Sequence, residues 1–353
     1  MTQILIKQVR IIDPQSPFHQ QVCDLLVSNG TIESIANSIS SNASQVIDAS
    51  GYCLSPGWVD MRANFQDPGF EYKEDLRSGA SAAQAGGFTA VGVLPETLPI
   101  LQSKSEIEYV KNLSQSLPVR ALPLGALSKD LKGEEITEMF DMHQSGAVAF
   151  SNANHSVKAG VMQRALLYVK GFDGLICSHP NDAGIASGGQ MHEGYHSTML
   201  GLKGIPEHAE TMAIERDLEL LRYTGGRLHI SHISTALGVE KIRAAKKEGL
   251  EVSCDVAAHQ LLFTDAVLEE YDTRYKVFPP FRSEVHRKAL IEGLLDGTID
   301  AVISDHQPED TEHKEVEFDF AAFGISSIQV VLPTLLKAMP ELTPEKLVEV
   351  LSI

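Results

Sequence analysis

The chain has 353 residues, enough for one large α/β barrel with a small satellite or for two ordinary domains, and its 43% hydrophobic and 22% charged residues suit a globular protein with a sizeable core. Lys plus Arg number 29 against 47 Asp plus Glu, a formal charge of −18 that repels phosphate backbones and excludes nucleic acid as an expected partner. The first residues alternate apolar and polar without the basic leader and apolar core of a signal peptide, and no run reaches the ~18 apolar residues of a membrane span, so no membrane role and a cytoplasmic location are expected.

From Gln3 to about Ser55 the pattern is of short strands and turns, with Asp13-Pro14 as a turn and Asn29-Gly30 as a tight hairpin signal. Residues 1–55 therefore read as a small β-domain with too few strands to close a core alone. After Pro56 the rhythm changes to strand, helix, strand, helix. Eight strand-like runs follow: Trp58 to Asn64, Phe88 to Leu94, Val119 to Ala126, Ala147 to Phe150, Gly174 to Cys177, Arg227 to Ser231, Glu251 to Val256 and Ala301 to Ser304. Between them the spacing predicts helices over Ser105 to Leu113, from Pro206 to the stop at Gly225-Gly226, and over Val239 to Glu248 with Gly249 as its left-handed cap; Pro344 to Leu351 reads as helix at the end. Residues 56–353 are thus expected to form a (β/α)8 TIM barrel of the metal-dependent hydrolase type, preceded by a small β-sandwich domain. An open doubly wound sheet is the alternative, but no G-x-G-x-x-G turn accompanies it. The cysteines, Cys23, Cys53, Cys177 and Cys254, lie far apart in apolar segments and read as reduced thiols.

Chemistry gathers at the strand ends, where such barrels place it. Alternation along the first barrel strand turns Asp60, Arg62 and Asn64 to one side, so Arg62 and Asn64 project together from its end. His179 follows the fifth strand, His232 the sixth, His259 the seventh, and Asp305-His306 the eighth. Imidazoles and a carboxylate delivered to one face by four successive strands are what a metal site needs. A lone histidine at a strand end is usually a hydrogen-bonded structural residue; the shared placement raises the functional reading. The other histidines lack it and read as surface or packing residues.

The segments SPGWVDM, DPGFEYKED, AAQAGGFTAVGVLPET, HISHIST, YKVFPPFR, ISDHQPED and FGISSIQVVLPTLL resemble, in order and along the whole chain, the dihydroorotases of the amidohydrolase superfamily, the multifunctional-complex type. The resemblance implies the closure of N-carbamoyl-aspartate to dihydroorotate, in which zinc-bound hydroxide attacks the ring amide and the eighth-strand Asp moves the proton. It also implies further C-terminal strands that complete the small β-domain.

Carried over position by position, the resemblance fails at most functional residues. The family's His-x-His-x-Arg is here Arg62-Ala63-Asn64-Phe65-Gln66, so two ligands and the substrate-binding arginine are replaced. The metal-bridging Asp falls at Asn152, and the substrate-site Asn after the second strand is Glu96. The Asn of the Asn-Pro-Pro turn is Phe278, and the Gly near the substrate carboxylate is Ser327. Three ligand positions survive, His179, His232 and Asp305, the last as a vestigial general base. No metal or one zinc ion is expected, not a dinuclear centre. Arg62 has no lone pair to offer a metal, but it can reach Asp305, and an Arg62–Asp305 ion pair is expected to stand in for the lost cation. The expected function is a non-catalytic dihydroorotase homologue, a homodimer that partners an aspartate carbamoyltransferase. The alternatives are a weakened single-metal amidohydrolase and a small-molecule sensor.

Overall fold

A computed structural model describes residues 3–352. They divide into two compact units, one running up to Trp58 and resuming from Glu341, the other spanning Val59–Pro340.

The first unit is built on one five-stranded sheet. Strands β1 (Gln3–Ile11), β2 (Val22–Ser28) and β3 (Thr31–Ala36) are joined antiparallel, while β4 (Gln45–Asp48) and β5 (Cys53–Leu54) run parallel to β1. The β2–β3 hairpin turns on Asn29 and Gly30, both at positive φ (50° and 80°), the conformation that a tight two-residue hairpin requires. Leu5, Val9, Ile11, Cys23 and Leu25 are buried. The terminal helix Pro344–Ser352 belongs to this unit, where Glu345 accepts from Arg10 at 3.4 Å.

The second unit is a barrel. Its strands are β6 (Trp58–Ala63), β7 (Phe88–Val93), β8 (Arg120–Ala126), β9 (Ala149–Ser151) and β10 (Leu175–Ser178), then, after the short paired strands β11 (Met191–His192) and β12 (Gly204–Ile205), β13 (Arg227–Ile230), β14 (Val252–Ala257) and β15 (Ala301–Ile303). Apart from β11 and β12, these eight strands neighbour one another in chain order from β6 to β15. Closure comes from a parallel bridge between Ala63 and His306, with the Asn64 N–H donating to the His306 carbonyl at 2.8 Å. An open doubly wound sheet is excluded by that bridge. Below it, the buried Asp60 carboxylate accepts from the Ser304 N–H at 3.1 Å and from its hydroxyl, tying β6 to the end of β15.

Helices form where the sequence supplies an apolar stripe and a cap. Lys104–Ser114 buries Ile107 and Val110; His208–Thr224 stops at Gly225 (φ 63°); Ala236–Lys247, capped by Thr235, begins at Ala236, three residues before the apolar pattern becomes visible at Val239. Leu76–Ala85 is capped by Asp75 and buries Leu76, Ala80 and Ala83. It approaches the barrel at Gly79, where a Cβ would fall 2.5 Å from the Phe65 ring. Among the described residues no helix is long and apolar enough to cross a membrane.

Candidate functional site

The polar residues that follow the barrel strands converge at one mouth, and the first of them is a cation. Arg62, on β6, is 2% exposed, and its Nε donates to Asp305 Oδ1 at 3.0 Å. A second guanidinium nitrogen donates to Asn154 Oδ1, and Asn154 Nδ2 donates onward to Gln307 Oε1 at 3.3 Å. The ion pair expected from the sequence is therefore present, and Asn154 is a partner that sequence reasoning missed. Its only signal was its position three residues past β9.

Asp305 is the hub. His232 Nδ1 lies 3.3 Å from Oδ1 and His259 Nε2 3.8 Å from Oδ2, neither with hydrogen-bond geometry. Burial pushes the Asp305 carboxyl up, but His232, His259 and Arg62 outweigh it and hold the group well below the usual carboxylate range. His232 and Asp305 both sit in the left-handed region, at φ 62° and 48°. That conformation costs a residue with a Cβ roughly 1–2 kcal/mol, so surrounding contacts must impose it. For His232 the contact is visible: its N–H donates to Asp255, which also binds Ser231 Oγ at 3.1 Å and His229 Nε2 at 2.8 Å.

His232, His259 and Asp305 place three ligand atoms within 4.8 Å of one another, all buried, a grouping that could hold a metal. His179 is adjacent but outside that set. Its ring centroid is 6.3 Å from His232 and 5.5 Å from Phe278. Burial, with the Arg62 charge and His232 nearby, pushes its pKa well down, so the ring is neutral. Both ring nitrogens of His179, His232 and His259 are buried without a hydrogen-bond partner. Imidazole nitrogens buried without a hydrogen-bond partner suit a metal.

The replaced positions have been absorbed into local structure. Asn64 Oδ1 accepts from the Gln66 N–H at 3.1 Å. Asn152 Oδ1 accepts from the Ser128 N–H at 3.2 Å and its hydroxyl at 2.6 Å, while Nδ2 donates to the Leu131 and His155 carbonyls. Glu96 turns to His155, 2.8 Å away, whose pKa it raises by that hydrogen bond. His306 is held by Glu74 at 2.6 Å and receives the Ser327 N–H on Nδ1, so it stays out of the Asp305 group. Arg62, Asn64 and Asn152 thus offer neither carboxylate nor imidazole at these three positions.

The sequence profile of the Dihydro-orotase-like family matches residues 51–237, more than half of the chain. The chain is 41% identical over 355 residues to a dihydroorotase of Thermoanaerobacter sp. (strain X514), with 99% of this chain and 82% of that protein covered. The chain belongs to the dihydroorotase-like family. A dihydroorotase of Carboxydothermus hydrogenoformans is likewise 42% identical over 328 residues, covering 92% of this chain and 76% of its own. Among solved structures, the L-hydantoinase (dihydropyrimidinase) of Arthrobacter aurescens superimposes with a TM-score of 0.87 at 26% identity, over 99% of this chain and 81% of that one. The barrel with an N-terminal sheet is thus the fold shared with the amidohydrolases.

Proposed function

We propose that this chain is a non-catalytic dihydroorotase-like protein of pyrimidine biosynthesis, cytoplasmic and homodimeric, that serves as a structural or regulatory partner of an aspartate carbamoyltransferase. The observation that carries the reading is the Arg62 guanidinium bound 3.0 Å from Asp305, in the mouth where the family's chemistry needs a metal beside that carboxylate. A guanidinium offers five donors and no lone pair, so it neutralises Asp305 without generating a nucleophile. The arginine that would hold a substrate carboxylate is replaced by Gln66, which is buried and donates to the Pro308 carbonyl at 3.4 Å. Without that charge pairing the reacting ring has no bidentate anchor.

The convergence of His232, His259 and Asp305 supports a second reading, a weakened cyclic-amide hydrolase with one zinc. Metal analysis of the purified protein followed by a dihydroorotate hydrolysis assay with added zinc separates the two. Background turnover and substoichiometric metal are expected. Stoichiometric zinc with turnover well above the metal-free background overturns the first reading in favour of the second.

A further inference from the structure

The six ring nitrogens of His179, His232 and His259 are all buried without a hydrogen-bond partner, yet only two of the rings point their ligand atoms at Asp305. The separations are 3.3 Å from His232 and 3.8 Å from His259 to the carboxylate. Ligands about 2.0–2.1 Å from a tetrahedral zinc stand about 3.3 Å apart; the His232 separation to Oδ1 matches that spacing, the His259 separation, to Oδ2, exceeds it by about 0.5 Å, and all three ligand atoms lie within 4.8 Å of one another. The missing first-strand histidines are not needed for this set, because His259 takes the third corner from the first turn of the helix Ala258–Leu262.

The obstacle is Arg62. Its Nε occupies Asp305 Oδ1, the same oxygen that His232 approaches, and a fixed guanidinium charge there opposes any divalent ion. We infer that Arg62 and a single divalent cation are mutually exclusive partners of Asp305, and that removing Arg62 alone unmasks a mononuclear metal site on His232, His259 and Asp305. The inference rests on the reading of Arg62 as the substitute for the lost metal and adds which residues retain the latent capacity. Charge supports it: without Arg62 the buried carboxylate is left unpaired between two imidazoles, a strong reason to take up a cation. His179, packed on Phe278 and outside the group, is not required.

The test uses the full chain as Arg62→Ala, with Arg62→Met to fill the space should the alanine variant fold poorly, and zinc as the probe. After dialysis against trace zinc, both variants are expected to retain about one zinc per chain and to bind it at least ~100-fold more tightly than the parent protein by calorimetry. Cobalt in its place should give the visible absorption of a low-coordinate site. Arg62→Lys, which keeps the cation, should behave like the parent. Adding His259→Ala to Arg62→Ala should return binding to background, whereas adding His179→Ala should leave it within roughly tenfold. Zinc absent from both Arg62→Ala and Arg62→Met, stoichiometric zinc in the parent, or binding indifferent to His259 overturns the inference. The functional proposal fails on a different measurement, turnover by the parent protein, so the two failures are distinguishable.

Discussion

Arg62 changes what Asp305 is for. In a metal site this carboxylate would be one of several ligands; here it is half of a buried ion pair, 2% and 8% exposed at the two side chains. Such a pair contributes modestly when whole and costs heavily when halved, because the survivor is a lone charge in a poor solvent. Arg62→Ala in zinc-free buffer is therefore expected to lose about 3–5 kcal/mol of stability by urea unfolding. Adding Asp305→Asn should recover much of the loss, and a strictly additive double variant would contradict the pairing. The sign with pH follows from the depressed Asp305 pKa: its contribution is complete above the ordinary carboxyl value and is lost as pH falls through the lower folded value. This pair was legible in the sequence, since an arginine and an aspartate at the ends of the first and last barrel strands must meet once the barrel closes. The choice of His259 over His179 was not. Which ring nitrogen reaches the carboxylate depends on the turn just past each strand, and His259 lies in a short helix while His179 is drawn against Phe278. Asn154 was hidden for the same reason, lying in the turn after β9.

At the scale of elements, the closing seam between β6 and β15 holds an acid under strain. Burial raises the Asp60 carboxyl to about 6 against the bonds from Ser304 and the Arg62 N–H that favour its charge. The folded chain therefore takes up this proton more readily than the unfolded chain does. Ionised Asp60 costs stability above about pH 6, and the cost is relieved as pH falls from there toward the ordinary value of 3.8, a difference of roughly 3 kcal/mol at most. Urea midpoints of the parent minus those of Asp60→Asn should rise between pH 8 and pH 5; a constant difference would show that Asp60 does not titrate in that window. The same seam depends on close approach. Alanine at Gly79 would meet the Phe65 ring, and a loss of about 1–3 kcal/mol is expected from overpacking, measured by the same unfolding. The strands and long helices fell within a few residues of their expected bounds because periodicity and glycine caps are local. The Asp60–Ser304 tie is separated by 244 positions, so only the closed barrel reveals it.

Across the whole molecule, replacing a dissociable metal by a covalently tethered cation should be visible in how the protein responds to chelation. A ligand that binds only the folded state stabilises it by about 2.7 kcal/mol at a hundredfold excess over its dissociation constant, which for chains of this class moves the midpoint by several degrees. A family member whose barrel mouth depends on zinc gains that term and loses it to a chelator. Here the guanidinium arrives with the fold and cannot be extracted, and the Asp305 charge is neutralised at any metal concentration. Thermal unfolding of the parent protein is therefore expected to have the same midpoint in chelator, in plain buffer and in micromolar zinc. In Arg62→Ala the three midpoints should separate, lowest in chelator and highest in zinc. A parent midpoint that drops by several degrees on chelation would mean that a metal, rather than Arg62, balances Asp305, and the mutual exclusion of Arg62 and a cation would fall with it.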